Sequence, residues 1–363
     1  MSSAAAIPLI LLSGFLGAGK STLVARLIRQ PGFARTAVIV NEFGEVGIDH
    51  ALISPGSEDN VVLLDSGCIC CTLTSSLEET LEALYYRRER GELGGFDRVV
   101  VETTGVADPG PIAAALTGGM FVSRYFRLGA IVIAVDAIHG AQQIAAHDEA
   151  RRQIAIADRI VLTKTDLDDG GAAQRTRAAI RAINPTAPLL AACHGEVDPG
   201  WFVADTDTDG AAAAAVEARH GREHRPSHDH DHDHGHDHDY DHDRESSPPH
   251  GADGHTHLHD HGYVSVSVRL PGPIAWPQYA AWVTSLQAGA GDRLLRAKGF
   301  VRFDDGVVRA IQGVQQLFAA PRPVEQAIDE ALVGTLVLIA HDMPERALRD
   351  LLLPLQRGSA TQV

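Results

Sequence analysis

Residues Leu9 to Thr22 read LILLSGFLGAGKST. The first four are a continuous apolar run closed by Ser13, the pattern of a strand buried on both faces. From Gly14 the spacing becomes G-x-x-x-x-G-K-S/T, and Lys20–Arg29 carries helical periodicity. A strand, a glycine-rich turn and a helix in that order make a phosphate-binding loop. Gly14, Gly17 and Gly19 let backbone N–H groups turn inward around phosphates, and the helix N-terminus adds partial positive charge. Lys20 supplies a point charge to the β- and γ-phosphates, the Ser21 hydroxyl can ligate Mg²⁺, and Thr22 follows in the same turn.

Outward from this loop, residues 1–200 alternate strand-like runs with longer helical patterns. The strands expected are Leu9–Ser13, Ala37–Asn41, Val61–Leu64, Arg98–Glu102, Ala130–Asp136, Arg159–Thr163 and Leu189–Ala192. Several are unbroken Val/Ile/Leu runs, which suit a parallel sheet with helices as crossovers. Helices are expected over Lys20–Arg29, Leu77–Arg90, Ala141–Ala157 and Ala172–Ile183. The fold class is therefore α/β, a doubly wound, mainly parallel P-loop NTPase sheet. Residues 201–262 break the pattern with an Asp-His alternation, His228, His230, His232, His234, His236, His238 and His242, closed by His255, His257, His259 and His261. So little of it can be buried that a disordered linker is expected. Residues 263–357 read as a small α+β domain. Its strands are Tyr263–Arg269, Leu294–Phe303, Val307–Ile311 and Leu332–Ala340, and its helices Trp276–Leu286 and Glu345–Leu353.

Composition narrows the function. Hydrophobic residues make up 45% and charged residues 21% of 363, as in globular chains. The net charge of −16 disfavours nucleic acid and anionic membrane surfaces as partners. No apolar run approaches the ~18 residues of a membrane helix. The run Ile7–Leu12 lacks a basic start and enters the glycine loop directly, so a signal peptide is not expected and the cytoplasm is.

Two further segments bear on the nucleotide. Val99–Val101 ends in Glu102-Thr103-Thr104-Gly105. A carboxylate there can hold the Mg²⁺ shell, and Gly105 can place a backbone N–H at the γ-phosphate. Thr163-Lys164-Thr165-Asp166 follows another strand. The Asp166 carboxylate can accept from guanine N1–H and its 2-amino group while the Lys164 stem covers the base, so GTP is expected over ATP. Thr163 stands where many GTPases have Asn. Ala191–Gly195 is placed to add a base contact through its backbone.

Of four cysteines, Cys68, Cys70 and Cys71 sit within four residues, just after the strand Val61–Leu64. In a reducing compartment such a cluster reads as metal ligands rather than a disulfide framework. Thiolates bind Zn²⁺, and Cu(I) more readily. Closed structural zinc sites use four protein ligands. Three thiolates with an open fourth position, to be filled by Glu42 or a neighbour, suit a site that gives its metal up. The fourth cysteine, Cys193, is isolated and expected to be structural or near the base. The histidine run could hold Zn²⁺, Ni²⁺ or Co²⁺ loosely and raise its concentration near the cysteines, or be a solvated spacer.

With these motifs in place, the chain resembles the CobW-type metallochaperone GTPases, a group that includes the zinc-regulated GTPase metalloprotein activators. The matching stretches are GFLGAGKST at Gly14–Thr22, NEFGEVGID at Asn41–Asp49, GCICC at Gly67–Cys71, ETTGVADP at Glu102–Pro109, TKTD at Thr163–Asp166 and LLRAKGFV at Leu294–Val301. The resemblance implies slow GTP hydrolysis, Zn²⁺ or alternatively Co²⁺ at the cysteines, and delivery to a client metalloprotein or metal-insertion enzyme. It also implies a first switch over Asn41–Asp49, with Glu42 near nucleotide and metal. A nucleotide-dependent homodimer is a further expectation. Eukaryotic zinc members carry an N-terminal client-docking motif that Met1–Pro8 does not show, which leaves the client open between zinc enzymes, cobalt insertion for cobalamin and nitrile hydratase. A nucleotide-modulated metal buffer and a small-molecule P-loop kinase are the competing readings. A buffer needs no multiple turnover, and the kinase reading meets Asp166 and no evident acceptor lid.

Overall fold

The structure, a computed structural model, describes residues 6–40, 61–65, 73–93, 95–118, 120–168, 170–203, 262–324 and 328–356, with backbone only for 61–65, 73–76 and 117–118. The expectations for Glu42, Asn41–Asp49, the three clustered cysteines and the histidine run lie outside the described residues.

The chain begins with β1 (Ile7–Ser13), α1 (Lys20–Leu27), β2 (Thr36–Val40), β3 (Val61–Asp65), α2 (Leu73–Glu89) and β4 (Arg98–Glu102). Next come α3 (Pro109–Gly118), α4 (Met120–Tyr125), β5 (Phe126–Asp136), α5 (Gly140–Ala146), α6 (Asp148–Ile156), β6 (Arg159–Thr163), α7 (Ala172–Ile183), β7 (Leu189–Ala191) and α8 (Pro199–Val203). The seven strands form one sheet in the order β3-β2-β4-β1-β5-β6-β7, and every pairing is parallel. Unbroken apolar strands require cover on both faces, and they have it. Leu9, Leu11, Ile131 and Ile133 face one core, shared with Leu81, Ile112 and Ile154. Ile10, Leu12, Ala130 and Val132 face the other, with Leu23, Leu27 and Phe202.

The strand order sets the site. β1 lies between β4 and β5, so the loop after it opens where neighbouring crossovers diverge, the usual binding crevice of a doubly wound sheet. In register, Leu12 pairs with Glu102, and Val40 pairs with both Glu102 and Asp65. The chain leaves β3 at Asp65, three residues before Cys68, on the same edge as the phosphate loop.

The second unit contains β8 (Tyr263–Arg269), α9 (Trp276–Ala290), β9 (Leu294–Arg302), β10 (Val308–Val314), β11 (Leu317–Phe318), β12 (Arg322–Pro323), β13 (Thr335–His341), α10 (Glu345–Asp350) and α11 (Leu353–Gln356). Its antiparallel sheet runs β11-β10-β9-β13-β8, with β12 on β10. The period-2 alternation of strands divides its two faces. Leu336, Leu338 and Ala340 pack with Trp282 and Leu286 of α9. Val337 and Ile339 point the other way, and with Leu295 and Val314 they join the core of the first unit. The two units thus share apolar packing as well as polar contacts.

Two expected helices divide: Glu345–Leu353 ends at Asp350, and Leu353 opens a further short helix. The single helix over Ala141–Ala157 is two helices, because His147 is extended (φ −127°, ψ 126°). Asp148 and Glu149 restart the helix, where acidic residues suit the positive end of its dipole. The His147 ring leaves the helical path to stack on Phe15 of the phosphate loop, 4.6 Å between centroids. Helices α3 and α4, absent from the expectations, fill the connection from β4 to β5.

Candidate functional site

Three strands deliver the site, and their crossovers close it. Gly14 leaves β1 at φ 146°, and a Cβ there would sit 2.3 Å from the Ala134 carbonyl oxygen. Only glycine lets the loop turn so close to β5. Gly17 and Gly19 are left-handed at φ 73° and 82°. Lys20 is buried, and its ammonium donates to the Gly14 carbonyl at 2.8 Å and the Phe15 carbonyl at 3.4 Å. The loop therefore holds a cation at its centre. Ser21, in the first turn of α1, donates its hydroxyl to Glu102 Oε1 at 2.8 Å. Glu102 is buried at the end of β4. A hydroxyl and a carboxylate in contact beside a phosphate loop form an all-oxygen pair of the kind Mg²⁺ takes. Thr22 is exposed on α1, and a Cβ on Gly195 would stand 3.3 Å from its methyl.

Gly105 is held against the loop. A Cβ there would meet Leu16 at 2.6 to 2.8 Å, through Cδ2, Cα and N. The buried Gln153 amide of α6 donates to the Gly105 carbonyl at 3.2 Å and the Ala107 carbonyl at 3.0 Å. Thr103 ties this segment to β1: its N–H donates to the Leu12 carbonyl and its hydroxyl to Ser13 Oγ.

The loop after β6 borders the phosphate loop on its other side. The Thr163 hydroxyl, buried, donates to the carbonyls of Ala18 at 2.8 Å and Val135 at 3.1 Å. Lys164 is left-handed (φ 57°), and its ammonium bridges the Gly17 carbonyl and Asp136 Oδ2, both at 2.7 Å. Burial alone would raise the Asp136 carboxyl; hydrogen bonds from Lys164 and the backbone N–H groups of His139 and Ile138 hold it below the usual carboxylate range instead. The phosphate loop and the Thr163–Asp166 loop thus form one hydrogen-bonded frame. Asp166 Oδ1 accepts from the His194 backbone N–H at 2.8 Å, a bond that keeps this carboxyl below its ordinary value. Its Oδ2 stands 3.1 Å from His194 Nδ1.

The structure brings Lys20, Ser21, Glu102, Gly105, Thr163, Lys164 and Asp166 to one edge of the sheet. It also enlists residues that the motifs alone leave out. Asp136 carries the same signal as Glu102, an acid closing a buried Val/Ile strand next to β1. Gln153 carries no signal beyond being a polar residue on an apolar helix face. Cys193, expected to be structural or near the base, is exposed and beside Asp166 and His194. Among the described residues no helix is long and apolar enough to cross a membrane.

Comparison with known proteins agrees with this arrangement. Residues 8–191 match the family described as CobW/HypB/UreG, nucleotide-binding domain, and residues 263–355 match the cobalamin synthesis protein cobW C-terminal domain. The chain is 31% identical over 346 residues to the zinc chaperone YjiA of Escherichia coli, spanning 94% of this chain and 96% of that one. It is 32% identical over 207 residues to zinc-regulated GTPase metalloprotein activator 1 of Schizosaccharomyces pombe, 55% of this chain and 49% of that protein. The crystal structure of Zn(II)-bound YjiA GTPase from E. coli superimposes with a TM-score of 0.63 at 26% identity, over 97% of this chain and 99% of that one. The match over residues 8–191 and the 31% identity spanning 94% of the chain make this chain a member of the CobW/HypB/UreG family.

Proposed function

We propose that the chain is a GTP-hydrolysing metallochaperone that binds Zn²⁺ (alternatively Co²⁺) through Cys68, Cys70 and Cys71 and passes it to a client metalloprotein or metal-insertion enzyme. The observation that carries this reading is the register at the sheet edge. Val40 of β2 pairs with Glu102 on one side and with Asp65 on the other, so the segment bearing Glu42 starts beside the acid that contacts Ser21 and the segment bearing the cysteines starts one strand further out. The zinc names of the relatives support the choice of ion.

The residues fit a guanine nucleotide and its cation. Gly14 lets the loop turn against β5, where any side chain would clash with the Ala134 carbonyl, and Lys20 presents a buried ammonium to be taken over by phosphate oxygens in place of the Gly14 and Phe15 carbonyls. Ser21 and Glu102 would hold Mg²⁺, which neutralises charge on the β- and γ-phosphates when bound. Lys164, fixed by Asp136, keeps its stem over the base position, and Asp166 accepts from the guanine edge. Gly105, pinned by Gln153 and Leu16, offers a backbone N–H on the γ-phosphate side.

Asp166→Asn is expected to weaken GTP binding and to favour xanthosine triphosphate, because the amide donates where the carboxylate accepted. A site built for such hydrogen bonds discriminates by up to ~10⁴-fold. Nucleotide affinities of both proteins for GTP, XTP and ATP check this. ATP competing equally with GTP at the unaltered site would reject the base assignment.

The hand-off itself predicts coupling. The γ-phosphate orders switch segments in P-loop GTPases and hydrolysis releases them. If Glu42 or a neighbour completes the metal's shell only in the ordered state, a non-hydrolysable GTP analogue should tighten Zn²⁺ binding about 5–150-fold relative to GDP, and Zn²⁺ should tighten the analogue equally. Titration against a chromophoric chelator in the two nucleotide states measures it. Equal affinities would favour a passive buffer.

A further inference from the structure

The loop between β7 and α8 brings Cys193 and His194 against Asp166 of the loop after β6, away from the clustered cysteines in sequence. One ligand atom each from Asp166, Cys193 and His194 lie within 4.8 Å of one another. The Asp166 Oδ2 to His194 Nδ1 separation is 3.1 Å. Around one tetrahedral Zn²⁺, with bonds of about 2.0 Å to N and O and 2.3 Å to S, neighbouring ligand atoms stand roughly 3.3–3.7 Å apart. Small side-chain rotations therefore suffice to close the shell. The two contributing loops are also fixed to each other. The Thr165 hydroxyl donates to the Ala192 carbonyl at 2.9 Å, and the His194 N–H donates to Asp166 Oδ1. His194 is left-handed (φ 51°), which points its ring back at the carboxylate. The ring keeps 70% of its exposure and the thiol is exposed, so an ion can enter from solvent.

We propose that Asp166, Cys193 and His194 form a second site for a borderline divalent cation such as Zn²⁺, completed by water, whose occupancy excludes the guanine base. The carboxylate is the point of conflict. Both of its oxygens are needed to accept the two guanine donors, and a cation bound to Oδ2 takes one of them and covers that edge. This exclusion rests on the reading of Asp166 as the guanine acceptor; the metal site does not. Its sign is opposite to the coupling expected at the three cysteines. Zinc in excess would lower the chain's affinity for guanine nucleotides, so that loading with GTP proceeds only while free metal is scarce.

The test uses the full chain carrying Cys68→Ser, Cys70→Ser and Cys71→Ser, titrated with Co²⁺. A thiolate-to-cobalt charge-transfer band should appear, since Cys193 is then the single cysteine and the histidine run has no sulfur. Adding Cys193→Ser should abolish the band. His194→Asn, which keeps a residue that tolerates the left-handed backbone, should weaken Co²⁺ binding without unfolding the loop. With excess Mg²⁺ present, GDP should erase the band while ADP, with the same phosphates, leaves it. At Co²⁺ about 100 times its Kd, the apparent Kd for GDP should rise about 100-fold. No thiolate band, or a band unaffected by Cys193→Ser, overturns the site. A band that survives saturation with GDP overturns the exclusion, and the GTP-against-XTP affinities of Asp166→Asn in metal-free buffer then show whether the base assignment falls with it.

Discussion

Lys20→Ala is expected to fold and to hydrolyse GTP at least about 10³-fold more slowly than the unaltered chain. The ammonium is buried at the centre of the phosphate loop, against the Gly14 carbonyl. A preorganised donor aimed at charge that develops in the transition state is worth ~10²–10³ in rate, about 3–4 kcal/mol, and more when it carries full charge in a site closed to water. The fold does not depend on it. α1 is held by Leu23, Val24 and Leu27 in the apolar core, and the loop keeps its bonds from Thr163 and Lys164. Lys20→Arg is expected to recover little, because a planar guanidinium with fixed donor directions does not reproduce the compact point charge of the ammonium. Single-turnover hydrolysis by each variant, with a melting curve as the folding control, is the measurement. Hydrolysis within tenfold of the unaltered rate would remove the phosphate loop from the mechanism.

The sequence and the structure agree best where local pattern and tertiary role coincide. Arg98–Glu102, Arg159–Thr163 and Ala172–Ile183 have the same bounds in both, since a Val/Ile run or an amphipathic repeat declares its own ends. The apolar run of β5 is legible only from Ala130, because Arg127 and Gly129 interrupt it, but the strand starts at Phe126, where its pairing with Ile7 of β1 begins, and its register slips against β1 at Leu9/Ile10. α3 has a legible start, with Asp108 accepting from the Gly110 N–H and Pro109 at the first position, but its apolar, alanine-rich body has no polar face to betray a helix. The break at His147 is a tertiary effect, since nothing within Ala141–Ala157 forbids one helix and the stacking on Phe15 rewards two. The site divides in the same way. Gly14, Lys20 and Ser21 are legible as a group because spacing along one strand-turn-helix unit brings them together, and Glu102 is legible because it closes an apolar strand. The Asp136–Lys164 pair spans 28 positions, and the Gln153–Gly105 bond 48, so neither can be read without the strand order.

Asp158→Asn is expected to destabilise the chain by about 3–5 kcal/mol, the cost of leaving buried charge without its partner. Asp158 follows α6 and is buried between the two units. Its Oδ2 accepts from the Ile131 N–H of β5 at 2.9 Å, and its Oδ1 meets Arg296 and, at 3.5 Å, Lys298, both from β9. Arg296 is buried and Lys298 partly so. Burial works to raise the Asp158 carboxyl, but the two cations outweigh it and hold the group below its ordinary value. Burial likewise pushes the Lys298 ammonium down, with Asp158 pulling it partly back. A depressed carboxyl contributes fully above its unfolded pKa of about 3.9 and loses that contribution as pH falls through the lower folded value. The deficit of Asp158→Asn should therefore be constant from about pH 5 to neutrality, shrink in acid, and shrink again in alkali as the unpaired Lys298 gives up its proton. The amide keeps the size of the carboxylate and its acceptor for Ile131, but turns a donor toward Arg296 and Lys298, so the loss combines the charge with its hydrogen bonds to the two cations. Because the same contact fastens β9 to the sheet that carries the nucleotide site, calorimetry should show a melting point lower by on the order of 10 °C, with the C-terminal unit separating as its own transition. A shift under 2 °C with one transition retained would mean that Leu295, Val314, Val337 and Ile339 hold the two units together without the ion cluster.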